Sequence, residues 1–323
     1  MRRFLITIFL VLIYYFLFLA CYYYLISPTY SYMGLKFVNL PSSMWFFSLV
    51  LSILPILGLP LKFSRPSFFA AWLLYLCLII PSNIITFMVT SFSFDEVIIL
   101  PIALTFSFFI FVIILRTKLF ILPYIQTSKI IFDVIIPLFM VVVSFYILYL
   151  SNFIIDVSFI DVYTRRLQAR DVLEGKIFAN YSIAFLKSVC LPIAITYGIQ
   201  KKRWYYFVFV LFAVISQFSL VGSKGTVFLP FAILIILGFL KFKRESVLFL
   251  LLLSFILLLL MCFIEYALWN TTILSSLIVR REFAVPSLLT TYYWEYFSKN
   301  SYYFMKDSIV GFILPFETDY AYP

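Results

Sequence analysis

Several polar clusters break the apolar text of this 323-residue chain, and their residue types suit oxyanion chemistry. The first is residues 152–177, NFIIDVSFIDVYTRRLQARDVLEGKI. Its second half has helical spacing, with Asp161 four residues from Arg165 and Arg170 four from Glu174. Such neighbours on a helix face contribute only a few tenths of a kcal/mol. Arg166 has no carboxylate three or four residues away; together with Arg170 it makes a like-charged face suited to a polyanion. The planar guanidinium matches phosphate oxygens bidentately. An interfacial helix with local ion pairs is the competing reading.

The second cluster is Gly222-Ser223-Lys224-Gly225. Glycine permits a tight turn with exposed backbone N–H groups, an anion-binding nest to which a lysine adds a point charge. A plain hairpin with a snorkelling lysine fits equally well. The order of a Walker A loop is missing. The third is Arg280-Arg281-Glu282-Phe283, in which neither arginine has an acid three or four residues away. A juxtamembrane anchor for lipid headgroups is the alternative there. Lys187 lies nine residues beyond Phe178, about 13 Å into an apolar run at 1.5 Å per residue, and a charge at such depth is a functional candidate. Glu265 is a possible partner or proton acceptor, or a residue that simply sits at the interface. Tyr292, Tyr293, Trp294, Tyr296, Tyr302 and Tyr303 could stack on sugar rings or form an interfacial aromatic belt.

The absences narrow the chemistry further. The chain has no histidine, which removes every histidine-based mechanism and metal site. Cys21, Cys77, Cys190 and Cys262 lie inside apolar runs and form neither a disulfide framework nor a zinc motif. Residues 27–43 contain no acid, although metal-dependent glycosyltransferases of the membrane GT-C class usually carry an acidic pair in the first outer loop. Asp95-Glu96 is too short a match to assign a metal, and no cofactor is expected.

The elements that must position these residues follow from composition. Hydrophobic residues make up 65% of the chain and charged residues 12%. A soluble domain carries about 45–50% and about 25%, so a water-soluble enzyme is excluded. Stretches of about 20 apolar residues span a bilayer as helices. The expected fold is all-α and polytopic, with about nine spans at 4–26, 44–61, 67–90, 97–115, 130–151, 178–199, 204–221, 226–240 and 247–269. The first is too long for a signal-peptide core and reads as a retained span. Prolines 55, 81, 101, 137, 192 and 230 fall inside spans, where kinks are ordinary. There is no internal repeat of the secondary-transporter type.

Of the 24 basic residues, 13 fall in the short loops on the side of the N-terminus. That side is cytoplasmic by the positive-inside rule. The net charge of +10 is therefore mostly topology, and nucleic-acid binding is not expected. Residues 152–177 and 270–323 then form outer loops, with the end of the chain extracytoplasmic.

Two stretches, FSLVGSKGTVFLPFAILIIL and LIVRREFAVPSLLTTYYWEYF, resemble the bacterial O-antigen or oligosaccharide repeat-unit polymerase family (Wzy-type). The likeness covers roughly residues 150–323; the first 150 match in hydropathy only. Related polymerases often carry arginine where Lys224 stands. The chain ends before the closing helices of that family, so the resemblance implies a truncated member. It implies a GT-C-like membrane glycosyltransferase of the bacterial inner membrane. Its partners would be undecaprenyl-diphosphate-linked glycans, membrane lipids and a chain-length regulator. On that resemblance Arg165, Arg166, Arg170, Lys187, Lys224, Arg280 and Arg281 would face the departing diphosphate. Glu282, Glu265 or Asp161 would serve as base. An O-antigen ligase uses the same donor but usually an essential histidine. A lipid-linked glycan flippase would line several spans with cations.

Overall fold

Proline spacing sets the local geometry of the helices. A proline inside a helix lacks the N–H that would bond the carbonyl four residues back, and its ring collides with that carbonyl. The computed structural model describes residues 2–89, 97–117, 128–158, 162–241 and 246–300. In it, five helical runs widen into a π-helical segment that ends two residues before a proline. The segments are Tyr22–Ile26 before Pro28, Tyr75–Ile79 before Pro81, Ile131–Ile135 before Pro137, Leu186–Cys190 before Pro192, and Ser275–Ala284 before Pro286. In each, the residue just ahead of the proline donates its N–H five residues back. Ser27 bonds Tyr22, Ile80 bonds Tyr75, Ile136 bonds Ile131, Leu191 bonds Leu186 and Val285 bonds Arg280. The wide turn makes room for the ring. Of the prolines expected to kink spans, Pro81, Pro137 and Pro192 follow this rule. Pro55 instead sits in a 3₁₀ turn, Leu54–Leu57, Pro101 lies in the first turn of its helix and Pro230 within one.

The described residues are helical and contain no strand. Among the described residues, six helices are long and apolar enough to cross a membrane. They are α1 (Arg2–Met33), α3 (Pro66–Val89), α4 (Ile99–Arg116), α5 (Ile131–Leu150), α7 (Ile177–Gln200) and α10 (Val247–Trp269). The chain is thus an all-helical, polytopic membrane protein. The expected spans 44–61, 204–221 and 226–240 correspond to shorter apolar helices, α2 (Ser42–Leu57), α8 (Tyr206–Val221) and α9 (Lys224–Lys241). Residues 152–177 contain a helix, α6 (Val162–Leu173), as their spacing suggested.

Residues 270–323 were expected to be an outer loop. Within that segment residues 275–299 are helical: Ser275–Ala284 runs directly into Val285–Lys299, together α11. Its buried face carries Val279, Phe283, Ser287, Leu288 and Thr291. Small hydroxyls let backbones approach closely and hydrogen-bond across helices. Ser82 donates to Ser287 at 3.1 Å, and the hydroxyls of Thr86 and Thr291 are 3.0 Å apart. Both pairs step by four residues, so α3 and α11 run in the same direction through this contact. A hydropathy window misses such a face because Ser287 and Thr291 are among its buried residues.

The chain divides into two compact units. The first comprises Met1–Phe120 and Arg244–Pro323. Within it α1 and α10 lie alongside one another, with Tyr14 edge-on to Phe255 at 6.0 Å between ring centres and Cys21 and Cys262 both buried. Tyr15 meets Ser48 at 2.9 Å, and Ser48 donates to the Asn83 carbonyl at 2.7 Å, tying α1, α2 and α3. The second unit is Ile121–Lys243. Its core is formed by Met140, Val143 and Ile147 of α5, Leu186, Cys190, Leu191, Ala194 and Ile195 of α7, and Tyr206, Val210, Ala213, Val214 and Leu220 of α8.

Candidate functional site

In the second unit the structure gathers several of the cationic and glycine residues singled out from sequence. Helix α8 ends at Gly222, whose left-handed backbone (φ 61°) bonds its N–H to the Phe218 carbonyl at 2.9 Å. Glycine is suited to that conformation. Space is also tight, since a Cβ there would lie 3.1 Å from the Val162 carbonyl oxygen. The start of α6 therefore rests directly on the turn. One turn along α6, Arg166 reaches over and donates from Nη2 to the Gly222 carbonyl at 3.4 Å.

Lys187 reaches the same turn from α7. It sits in the π-helical segment ahead of Pro192 and is half-buried. Lysine side chains lean toward the N-terminus of their helix and carry the ammonium away from apolar depth. Lys187 Nζ lies 3.8 Å from where a Cβ on Gly225 would stand, and so does Ser223 Oγ. Lys224 is the first residue of α9, where the N-terminal turn adds partial positive charge. No ion pair to Lys187 or Lys224 is present among the described residues. The Lys187 ammonium, the Arg166 guanidinium and the start of α9, which Lys224 opens, thus meet at a glycine-flanked turn. Such an arrangement favours an oxyanion.

Arg165 and Arg170 behave differently from Arg166. Arg165 is only 8% exposed. Its Nε stands 3.3 Å from Asp156 Oδ2, and it donates to the carbonyls of Asp156, at 2.7 Å, and Ser158. Its guanidinium also lies 5.1 Å from the centre of the Phe218 ring. It holds residues 156–158 onto α6 and α8. The sequence paired it with Asp161, which lies outside the described residues. Arg170 and Glu174 are both exposed, and the ion pair expected from their spacing is not found among the described residues.

The first unit holds the other candidates. Arg280 lies over the Tyr30 ring at 4.3 Å from its centre, with Met33 Sδ 3.6 Å from Nη1 and the Ser276 carbonyl 3.4 Å from Nε. Arg281 and Glu282 are exposed. Glu265, 9% exposed, accepts from Thr271 Oγ1 (2.9 Å) and from the backbone N–H groups of Ile273 and Leu274 (2.8 Å each). Both its oxygens are engaged in fixing the entry to α11. Tyr292, Tyr293, Trp294 and Tyr296 lie on α11, whereas Tyr302 and Tyr303 lie outside the described residues. Asp95 and Glu96 are also outside them. No group of three or more acidic or cysteine side chains that could hold a metal occurs among the described residues.

One cluster in the second unit had no signal in local spacing. Asp133, on α5, receives Arg203 Nη1 and the Tyr197 hydroxyl (2.9 Å), while the Tyr206 hydroxyl donates to the Phe132 carbonyl at 2.7 Å. Phe132 stacks on Tyr197 at 5.0 Å between ring centres. The hydrogen bond to Asp133 raises the Arg203 pKa above its ordinary value, so the pair stays charged. The partners are 64 to 73 residues apart in sequence. Their residue types signalled only a cytoplasmic loop.

Comparison with protein-family models, with curated proteins and with solved structures finds no match to this chain.

Proposed function

We propose that this chain polymerises undecaprenyl-diphosphate-linked oligosaccharide repeat units at the extracytoplasmic face of the bacterial inner membrane. In this reading it crosses the membrane about nine times, with a cytoplasmic N-terminus, as a GT-C-like glycosyltransferase. The observation that carries the proposal is the convergence of Arg166 and Lys187 on the Gly222–Gly225 turn. In the reaction an acceptor hydroxyl oxygen attacks C1 of the donor sugar. The C1–O bond to diphosphate breaks, its electron pair leaves with the diphosphate, and the acceptor proton passes to a carboxylate.

Charge develops on the departing diphosphate, so fixed cations beside it lower the barrier rather than merely tighten binding. Arg166, Lys187 and Lys224 are assigned to that work. Arg165 serves as their support. Arg280 and Arg281 form a second cationic segment, in the first unit. Of the carboxylates named as candidate bases, Glu282, in the first unit, is exposed, while the oxygens of Glu265 are occupied. A chain-length regulator and membrane lipids are the expected partners.

The test compares lipid-linked glycans in cells with and without the gene. Accumulated single repeat units in its absence support polymerisation, and Arg166→Ala or Lys187→Ala should leave them unpolymerised while the protein still inserts. Full-length but unligated polymer would indicate a ligase. Loss of exported glycan would indicate a flippase. Normal chain lengths with either substitution would remove these residues from the reaction.

A further inference from the structure

A cleft of about 320 Å³ opens beside this turn within the second unit. Its polar lining comes from Ser151, Asn152, Asp156, Arg165, Gln168 and Ser219. Two of these six are paired with each other as ions: the Arg165 guanidinium faces the Asp156 carboxylate and donates to the Asp156 and Ser158 carbonyls. The hydroxyl protons of Ser151 and Ser219 go to the carbonyls of Leu148 and Ile215 at 2.9 Å, leaving oxygen lone pairs as acceptors. The carboxamides of Asn152 and Gln168 are exposed and make no side-chain hydrogen bond among the described residues.

What the cleft offers a ligand is therefore close to neutral. There are two carboxamides that both donate and accept, hydroxyl acceptors, and apolar walls from Ile154 and Val172. Ring hydroxyls and C–H faces of a sugar match that combination, and the volume is at the small end of ligand sites, about 300–1,000 Å³. The cleft also shares its walls with the cation cluster. Arg165 lines it while the next residue, Arg166, bonds Gly222, and its floor at Ser219 and Leu220 is the last turn of α8 before Gly222.

We infer that this cleft binds the carrier-proximal sugar of the glycan, the ring bonded directly to the diphosphate, through Asn152 and Gln168. The inference rests on reading the adjoining cations as a diphosphate site. Asn152 has a left-handed backbone (φ 53°), so Asn152→Gly removes the carboxamide without strain. Gln168→Ala does the same at an exposed helical position with a good helix former.

The experiment measures binding to the full chain in nanodiscs with two probes. One is inorganic pyrophosphate. The other is a short-chain prenyl diphosphate carrying the host's own repeat-unit glycan. The wild type should bind the glycosylated probe more tightly than pyrophosphate. The double variant should lose about ten-fold for the glycosylated probe, the scale of two hydrogen bonds, with pyrophosphate unchanged. Equal losses for both probes, or no loss for either, would overturn the inference. If pyrophosphate fails to bind the wild type, the diphosphate reading falls instead. The free glycan then decides the cleft, by whether its binding drops in the double variant.

Discussion

Gly222→Ala probes how the turn is built, and its cost follows from two features. An L residue held in the left-handed region costs roughly 1–2 kcal/mol. The new Cβ would also stand 3.1 Å from the Val162 carbonyl oxygen, too close for ordinary contact, so the start of α6 must move by a few tenths of an ångström. The expected destabilisation is about 2 kcal/mol, and the shift falls on the strand of contacts that holds Arg166 against the Gly222 carbonyl. Gly225→Ala is the matched control. Its Cβ would meet Lys187 Nζ and Ser223 Oγ at 3.8 Å, an ordinary distance, on a residue in the first turn of α9. Thermal unfolding of the purified proteins in detergent, with glycan ladders from the same strains, reads both effects. Gly222→Ala should melt below wild type and shorten the ladder, while Gly225→Ala should melt at or above it. If Gly222→Ala is as stable as Gly225→Ala, the account of the turn is wrong.

Arg165→Ala and Arg166→Ala should separate support from function. The first loses the buried Asp156 and Ser158 contacts and should cost about 2–3 kcal/mol in a denaturation measurement; the second should leave the melting curve near wild type and abolish long glycan chains. Lys224→Arg should retain polymer length and Lys224→Ala should not. Equal ladders from the two would reduce the segment to a hairpin.

The apolar helices and the glycine-flanked turn were legible in the sequence because each has a local signature: a long hydropathic run, and a Gly-x-x-Gly break between two runs. Lys187 was legible as a buried charge, but its target was not, since Gly225 is 38 residues away. Arg165 and Arg166 illustrate the limit. Spacing assigned a local partner to the first and none to the second, yet Arg165 turned toward Asp156, nine residues back, and Arg166 toward Gly222. Glu265 looked like a base because it lay near a span end. Three donors from residues 271–274 occupy it, and a loop reversing on itself leaves no periodic trace. The helix over residues 275–299 was missed for a related reason: its packed face uses Ser287 and Thr291 as spacers, which hydropathy counts as loop.

The wide turns ahead of the prolines have a consequence for angular phase. Each holds about one residue more than an α turn, so side chains on its two flanks are rotated by about 100° from where an uninterrupted helix would put them. A helical wheel drawn through α7 as one regular helix therefore misassigns the face of half its residues. Deleting one residue from Leu186–Cys190 together with Pro192→Ala would close the turn to regular geometry. That change would swing residues 177–187 by about 100° against the 191–200 half. The Lys187 ammonium would leave the neighbourhood of Gly225 with the chain's net charge unaltered. The proline thus aims the lysine from five residues downstream, and the two positions amount to one functional unit in the sequence.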